Sequence, residues 1–144
     1  MTVEEIYPLA VEFRRHFHQY PEFAMQEVET QRYITGVWDK YKIPYQVVGT
    51  GIIAILGKGQ KCVAIRADMD ALKVKEETGL AYSSCNEGMM HACGHDCHAS
   101  MLLGAARLLK EQEKELKGTV KLLFQAAEEA FIGSHYYVDH GYLE

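Results

Sequence analysis

The sequence predicts an α/β layered domain, a sheet with flanking helices, on three observations. Helical and strand-like hydrophobic periodicities alternate along the 144 residues. The strand-like runs are rich in β-branched residues and are bounded by Gly- and Pro-bearing segments. Acidic and metal-ligand side chains fall just past the ends of those runs, where ligands bind in open α/β sheets.

In chain order, Ile6, Leu9, Phe13 and Phe17 repeat at three- and four-residue spacing and predict a helix from about Val3 to Tyr20, stopped by Pro21. A second helix is predicted from about Glu27 to Tyr41, with Ile34, Val37, Trp38 and Tyr41 inward. Pro44 opens a β-rich part in which Tyr45–Val48, Ile52–Leu56 and Lys61–Ala67 are strands. Gly57-Lys58-Gly59-Gln60 is expected to be a hairpin turn joining the last two, and Cys62 a core residue. A polar, turn-rich stretch from Lys73 to Met90 precedes a His/Cys cluster. A helix from Ser100 to Glu113 is then marked by Met101, Leu102, Ala105, Leu108 and Leu109, its charged tail a solvated face. Thr119–Gln125 is a short apolar strand, and the remainder has room for one more helix.

Composition narrows the function. Apolar residues make up 48% and charged residues 24%, with 12 Gly and 3 Pro, which excludes disorder and low-complexity architectures. A net charge of −5 without basic clusters argues against nucleic acid or an anionic membrane as partner. No apolar run approaches the roughly 18–20 residues that span a bilayer. The acidic start Met1-Thr2-Val3-Glu4-Glu5 is unlike a secretory signal, so a cytoplasmic location with reduced thiols is expected. Gly49-Thr50-Gly51 imitates a dinucleotide-binding fingerprint, but that motif opens a helix and this one runs into the strand Ile52–Leu56.

Three polar clusters carry the chemistry. One strand ends in Arg66-Ala67-Asp68-Met69-Asp70, another in Gln125-Ala126-Ala127-Glu128-Glu129, and His91, Cys93, His95, Asp96, Cys97 and His98 crowd into eight residues. Singly, the Glu pair reads as a helix N-terminus, the two Asp as turn residues and each His as a surface group. Jointly they are expected to meet at one end of the sheet and form a metal site that hydrolyses its substrate. An extended His91–His95 would put His91, Cys93 and His95 on one side. A Glu-Glu pair off a strand would point its carboxylates to opposite sides, so that one binds metal while the other serves as general base. His16 and His18 gain no role from this reasoning.

Met90-His91-Ala92-Cys93-Gly94-His95-Asp96-Cys97-His98, continuing through Met101–Ala106, resembles the signature of the M20 metallopeptidase family, in its amidohydrolase branch. Four further blocks agree in order and spacing: Phe17–Glu22, Arg66–Leu72, Glu77–Leu80 and Phe124–Glu129. The resemblance implies a two-metal catalytic domain. In it, Cys93, His95 and Glu129 are metal ligands, Glu128 is the general base, and Asp70 is an acidic residue supporting the site. It leaves Asp68, His91, Asp96 and His98 without individual roles. The implied cofactors are two divalent ions, zinc or manganese, with nickel or cobalt also compatible with these ligands. The implied substrate is a small-molecule N-acyl amino acid.

The chain departs from the family pattern in three ways. Lys73, Ala81 and Ala126 stand where the family often has Pro, and Ala130–Tyr137 is bulkier than the usual Gly-rich stretch. Asp139–Glu144 resembles the segment just before the strand bearing the next metal-binding His, so residues 1–144 are expected to form the N-terminal part of the catalytic domain, without the lid and dimerisation domain. On that expectation the chain is inactive alone, and a truncated face favours homo-oligomers.

Overall fold

The computed structural model describes residues 1–144. Two helices come first, α1 (Val3–Gln19) and α2 (Val28–Lys40), then β1 (Tyr45–Val48), β2 (Gly51–Gly57) and β3 (Cys62–Asp68). Helix α3 (His95–Glu111), a 3-10 turn at Glu113–Glu115, β4 (Thr119–Gln125) and α4 (Gly133–Asp139) complete the chain. No helix is long and apolar enough to cross a membrane.

The start of each of the first two helices has its own cause. Thr2 and Glu5 form a reciprocal capping box that starts α1. Helix α2 lacks a cap from its own first residue. Its free amides are taken by Glu22, whose carboxylate accepts from the Glu29 and Thr30 N–H groups at 3.2 and 2.7 Å. The inward stripes are those of the sequence periodicity: Ile6, Phe13, Phe17, Ile34 and Trp38 are buried, while Val37 and Tyr41 pack partly buried against the same core. Burying each such side chain contributes roughly 1.5–3 kcal/mol.

The sheet order is β1-β2-β4-β3. Strands β1 and β2 are antiparallel around the tight turn Gly49-Thr50, so the apparent nucleotide fingerprint is a hairpin. The expected hairpin between β2 and β3 does not form. Strand β4 lies between them, antiparallel to β2 and parallel to β3. The Lys58–Lys61 connection crosses two strand spacings, roughly 10 Å, a distance that a short extended segment spans. Gly118 makes the crossing close, since a Cβ there would meet the Lys61 carbonyl.

Strand β3 is consequently an edge. Its residues Cys62 to Arg66 are exposed, and Cys62 is a surface thiol instead of a core residue. Helix α3 also starts at His95, five residues before the expected Ser100, because Gly94 (φ 99°) supplies the left-handed turn into it.

Candidate metal centre

The parallel pair β3 and β4 places Asp68 beside Gln125 at their carboxyl ends. The ladder runs on past β3, with the Met69 N–H donating to the Gln125 carbonyl at 3.0 Å. The next residues are stitched sideways: Ala71 donates to the Glu22 carbonyl, and Leu72 and Met90 exchange both backbone hydrogen bonds at 3.0 Å. That last bridge carries the His/Cys segment to Asp70. All three polar clusters therefore converge.

At the centre, His95 is buried. Its Nδ1–H donates to the Asp70 carbonyl at 2.9 Å and lies 3.3 Å from the Asp70 carboxylate. Its Nε2 faces outward, 3.8 Å from Glu128 Oε2. Asp70 in turn accepts the Glu129 N–H at 2.9 Å. Burial opposes a charge on His95, but the Asp70 hydrogen bonds and charge outweigh it and push the imidazole up to about 9. Burial likewise opposes ionisation of Asp70, and the donors from His95 and Glu129 hold its carboxyl below the usual range.

Ligand atoms of Cys93, His95 and Glu129 lie within 4.8 Å of one another, as do those of Asp68, His95 and His98. Glu129 Oε1 is buried and has no hydrogen-bond partner. An orphaned carboxylate oxygen beside a thiol and an imidazole fits a cation of the zinc type, with thiolate, imidazole and carboxylate as donors. The contact with Glu129, then burial and the neighbouring carboxylates, push the Cys93 thiol up. With Nδ1 of His95 committed to Asp70, both groups draw on the same Nε2. In the second group Asp68 also gives one oxygen to Arg66 at 2.9 Å.

Two expectations about side-chain direction fail. His91 is buried and Cys93 exposed, so the segment does not alternate as a strand; it bends at Cys93-Gly94 into α3. Neither nitrogen of His91 has a hydrogen-bond partner, and burial pushes its imidazole down to about 4. Glu128 and Glu129 do not point to opposite sides either. They sit in a turn, and both reach toward His95.

Sequence reasoning passed over the residues that hold the site up. His18 is buried, 2.7 Å from Asp96 and 3.1 Å from Glu76, and Arg14 pairs with Asp96 at 2.9 Å. Burial opposes the Glu76 charge, but donors from Thr78, Ser84 and His18 pull its carboxyl down to about 2. Glu27 is fully buried beneath the Glu128–Glu129 turn. The available signal for His18 was its position beside Phe17, on the inward side of the first helix; for Glu27 there was none.

The model of peptidase family M20/M25/M40 matches residues 64–144, which include every residue of this centre. The chain belongs to that family. Over 144 aligned residues it is 46% identical to IAA-amino acid hydrolase ILR1-like 5 of Arabidopsis thaliana, covering 98% of this chain and 33% of that protein. It is 47% identical over 135 residues to N-acetyl-L-cysteine deacetylase of Bacillus subtilis, covering 91% and 32%. The M20 chain thus spans about a third of the length of the curated relatives it matches. The Bacillus subtilis YXEP protein, described as a dinuclear metal binding peptidase of the M20 family, superposes with a TM-score of 0.93 at 38% identity, over 99% of this chain and 41% of that one. An aminobenzoyl-glutamate utilization protein of Klebsiella pneumoniae shares the fold, with a TM-score of 0.67 at 20% identity over 86% of this chain and 37% of its own.

Proposed function

We propose that this M20 chain is the first part of the catalytic domain of a metal-dependent amidohydrolase, and that the substrate is an N-acyl amino acid. The observation that carries the reading is the convergence of Cys93, His95 and Glu129, with the orphaned Glu129 oxygen and an unligated Glu128 beside them. The relatives named for cleaving an amino acid conjugate and an acetylated amino acid support the substrate class. The dinuclear relative supports two ions in the complete site. Thiolate, imidazole and carboxylate together suit zinc, and the last two also suit manganese.

When bound, the ions supply Lewis acidity, polarising the scissile carbonyl and acidifying the attacking water. Cys93, His95 and Glu129 hold the cation. Asp70 orients the His95 ring through Nδ1 and keeps Nε2 free to ligate. Glu128, with its side chain 33% exposed and outside both ligand groups, takes the proton of the water and delivers it to the leaving amine. Because both groups share one His95 nitrogen, the chain offers protein ligands for one ion at a time. We infer that it binds a cation without turnover.

Calorimetric titration of the metal-free chain with zinc tests this. One ion should bind, binding should be lost in Cys93→Ala and Glu129→Ala, and Glu128→Gln should bind as the parent does. A chain that takes no zinc would overturn the metal assignment, and hydrolysis of hippurate by the purified chain would overturn the inactivity.

A further inference from the structure

We propose that Glu27 is the positioning residue of the Glu128–Glu129 pair, setting the turn from which both carboxylates reach the centre; this rests on the metal reading above. Glu27 is fully buried, an expensive place for a carboxylate unless it is well partnered. Its two oxygens serve different elements. Oε1 accepts the Ala127 N–H at 2.8 Å, and Oε2 accepts the Thr50 hydroxyl at 2.7 Å.

Ala127 is where the path of the chain is decided. It is fully buried and sits at φ 53°, a left-handed conformation that costs an L-residue roughly 1–2 kcal/mol. Its N–H lies past the last residue of β4, Gln125, and so has no ladder partner; left unpaired, a buried N–H would cost about 1–3 kcal/mol more. Glu27 meets this N–H. On the other side the Ala127 carbonyl receives the Ile132 and Gly133 amides at 3.4 and 3.3 Å. Gly133 allows that return because a Cβ would overlap the Ala126 carbonyl. With Ala127 held, the Glu129 N–H two residues on lands on Asp70.

The carboxylate is itself aimed by its surroundings. Thr50 lies in the β1–β2 turn, and Gln31 of α2 donates to the Gly49 and Gly51 carbonyls of that turn at 3.0 and 3.1 Å. The start of α2, the hairpin turn and the post-β4 turn therefore form one polar triangle with Glu27 at its centre. Met at this position keeps the volume but cannot accept either bond, whereas Gln keeps an acceptor for Ala127.

The experiment pairs zinc titration of the chain with amide hydrogen exchange of its metal-free form. Glu27→Met should weaken zinc binding about tenfold or more, as expected when support behind a ligand is removed, and should speed exchange at Ala127. Glu27→Gln should restore both toward the parent. Thr50→Val, a milder change that frees the carboxylate on one side, should move both in the same direction by a smaller factor. Ile34→Val serves as a control for lost stability and should leave zinc affinity unchanged. Parental affinity and parental Ala127 exchange in both Glu27→Met and Thr50→Val would overturn the proposal, as would a Glu27→Met loss no larger than that of the control. If the parent chain takes no zinc, the metal reading fails on its own; Ala127 exchange then decides, and no acceleration in Glu27→Met overturns the positioning role.

Discussion

The His95 ring is held from behind by Asp70, 2.9 Å from its backbone carbonyl and 3.3 Å from its carboxylate, so that only Nε2 faces the centre. One acid thus selects the tautomer, the orientation and the basicity of the central imidazole.

Replacing Asp70 by Asn should separate these effects. The carbonyl bond stays, the charge goes, and the imidazole should fall from about 9 toward the ordinary value near 6.5. Zinc affinity should drop roughly 10- to 100-fold. A proton NMR titration of His95 and calorimetry check the two; an unmoved His95 titration would show that Asp70 is not the cause.

Zinc should also release protons on binding. At neutral pH both the raised His95 and the raised Cys93 carry a proton that the ion must displace. Titrations in buffers of different ionisation enthalpy should show about two protons released near pH 7, and affinity weakening as pH falls. Zinc binding without net proton release would contradict ligation by this pair.

Stability of the metal-free chain should peak near neutrality. His91, pushed down to about 4, is neutral when folded, while the unfolded residue protonates near 6.5. Stability is therefore present above about 6.5 and lost as pH falls through 4, a change on the order of 3 kcal/mol. His95, raised to about 9, contributes in the opposite sense: its share is complete below about 6.5 and is lost as pH rises through 9. Urea midpoints at acid, neutral and alkaline pH measure both limbs, and His91→Gln should flatten only the acid one.

All four cysteines should react with a thiol reagent in the metal-free chain, since all four are exposed. Cys93 should react slowest, because its thiol is raised and the thiolate is the reactive form. Zinc should protect one thiol. Protection lost in Cys93→Ala assigns it; protection that persists there would place the cation elsewhere.

Two glycines should fail for different reasons. Gly94→Ala meets nothing within 4 Å but must hold φ 99°, so it should cost about 1–2 kcal/mol from backbone strain. Gly133→Ala has an ordinary dihedral but collides with the Ala126 carbonyl, and should cost about 1–3 kcal/mol or more. Thermal melts at matched pH rank them.

The sequence by itself determined the element order, the inward stripes on the first two helices, the four strands and the three polar clusters past the strand ends; of the stripe read on α3, Met101 is exposed. Those depend on periods of 3.6 and 2 and on turn chemistry, which are local. It also marked Cys93, His95, Glu128, Glu129 and Asp70, because unusual ligand types gathered in short segments. Only the tertiary structure decided that β4 divides β2 from β3, that Cys62 lies on an open edge, and that the His91–His95 segment bends instead of alternating. It alone brought Glu27 beneath a turn that begins 100 residues later. The reason is physical: strand order and buried polar partners are set by the hydrogen bonds that distant backbone groups find on collapse, and no local pattern encodes which distant group meets which.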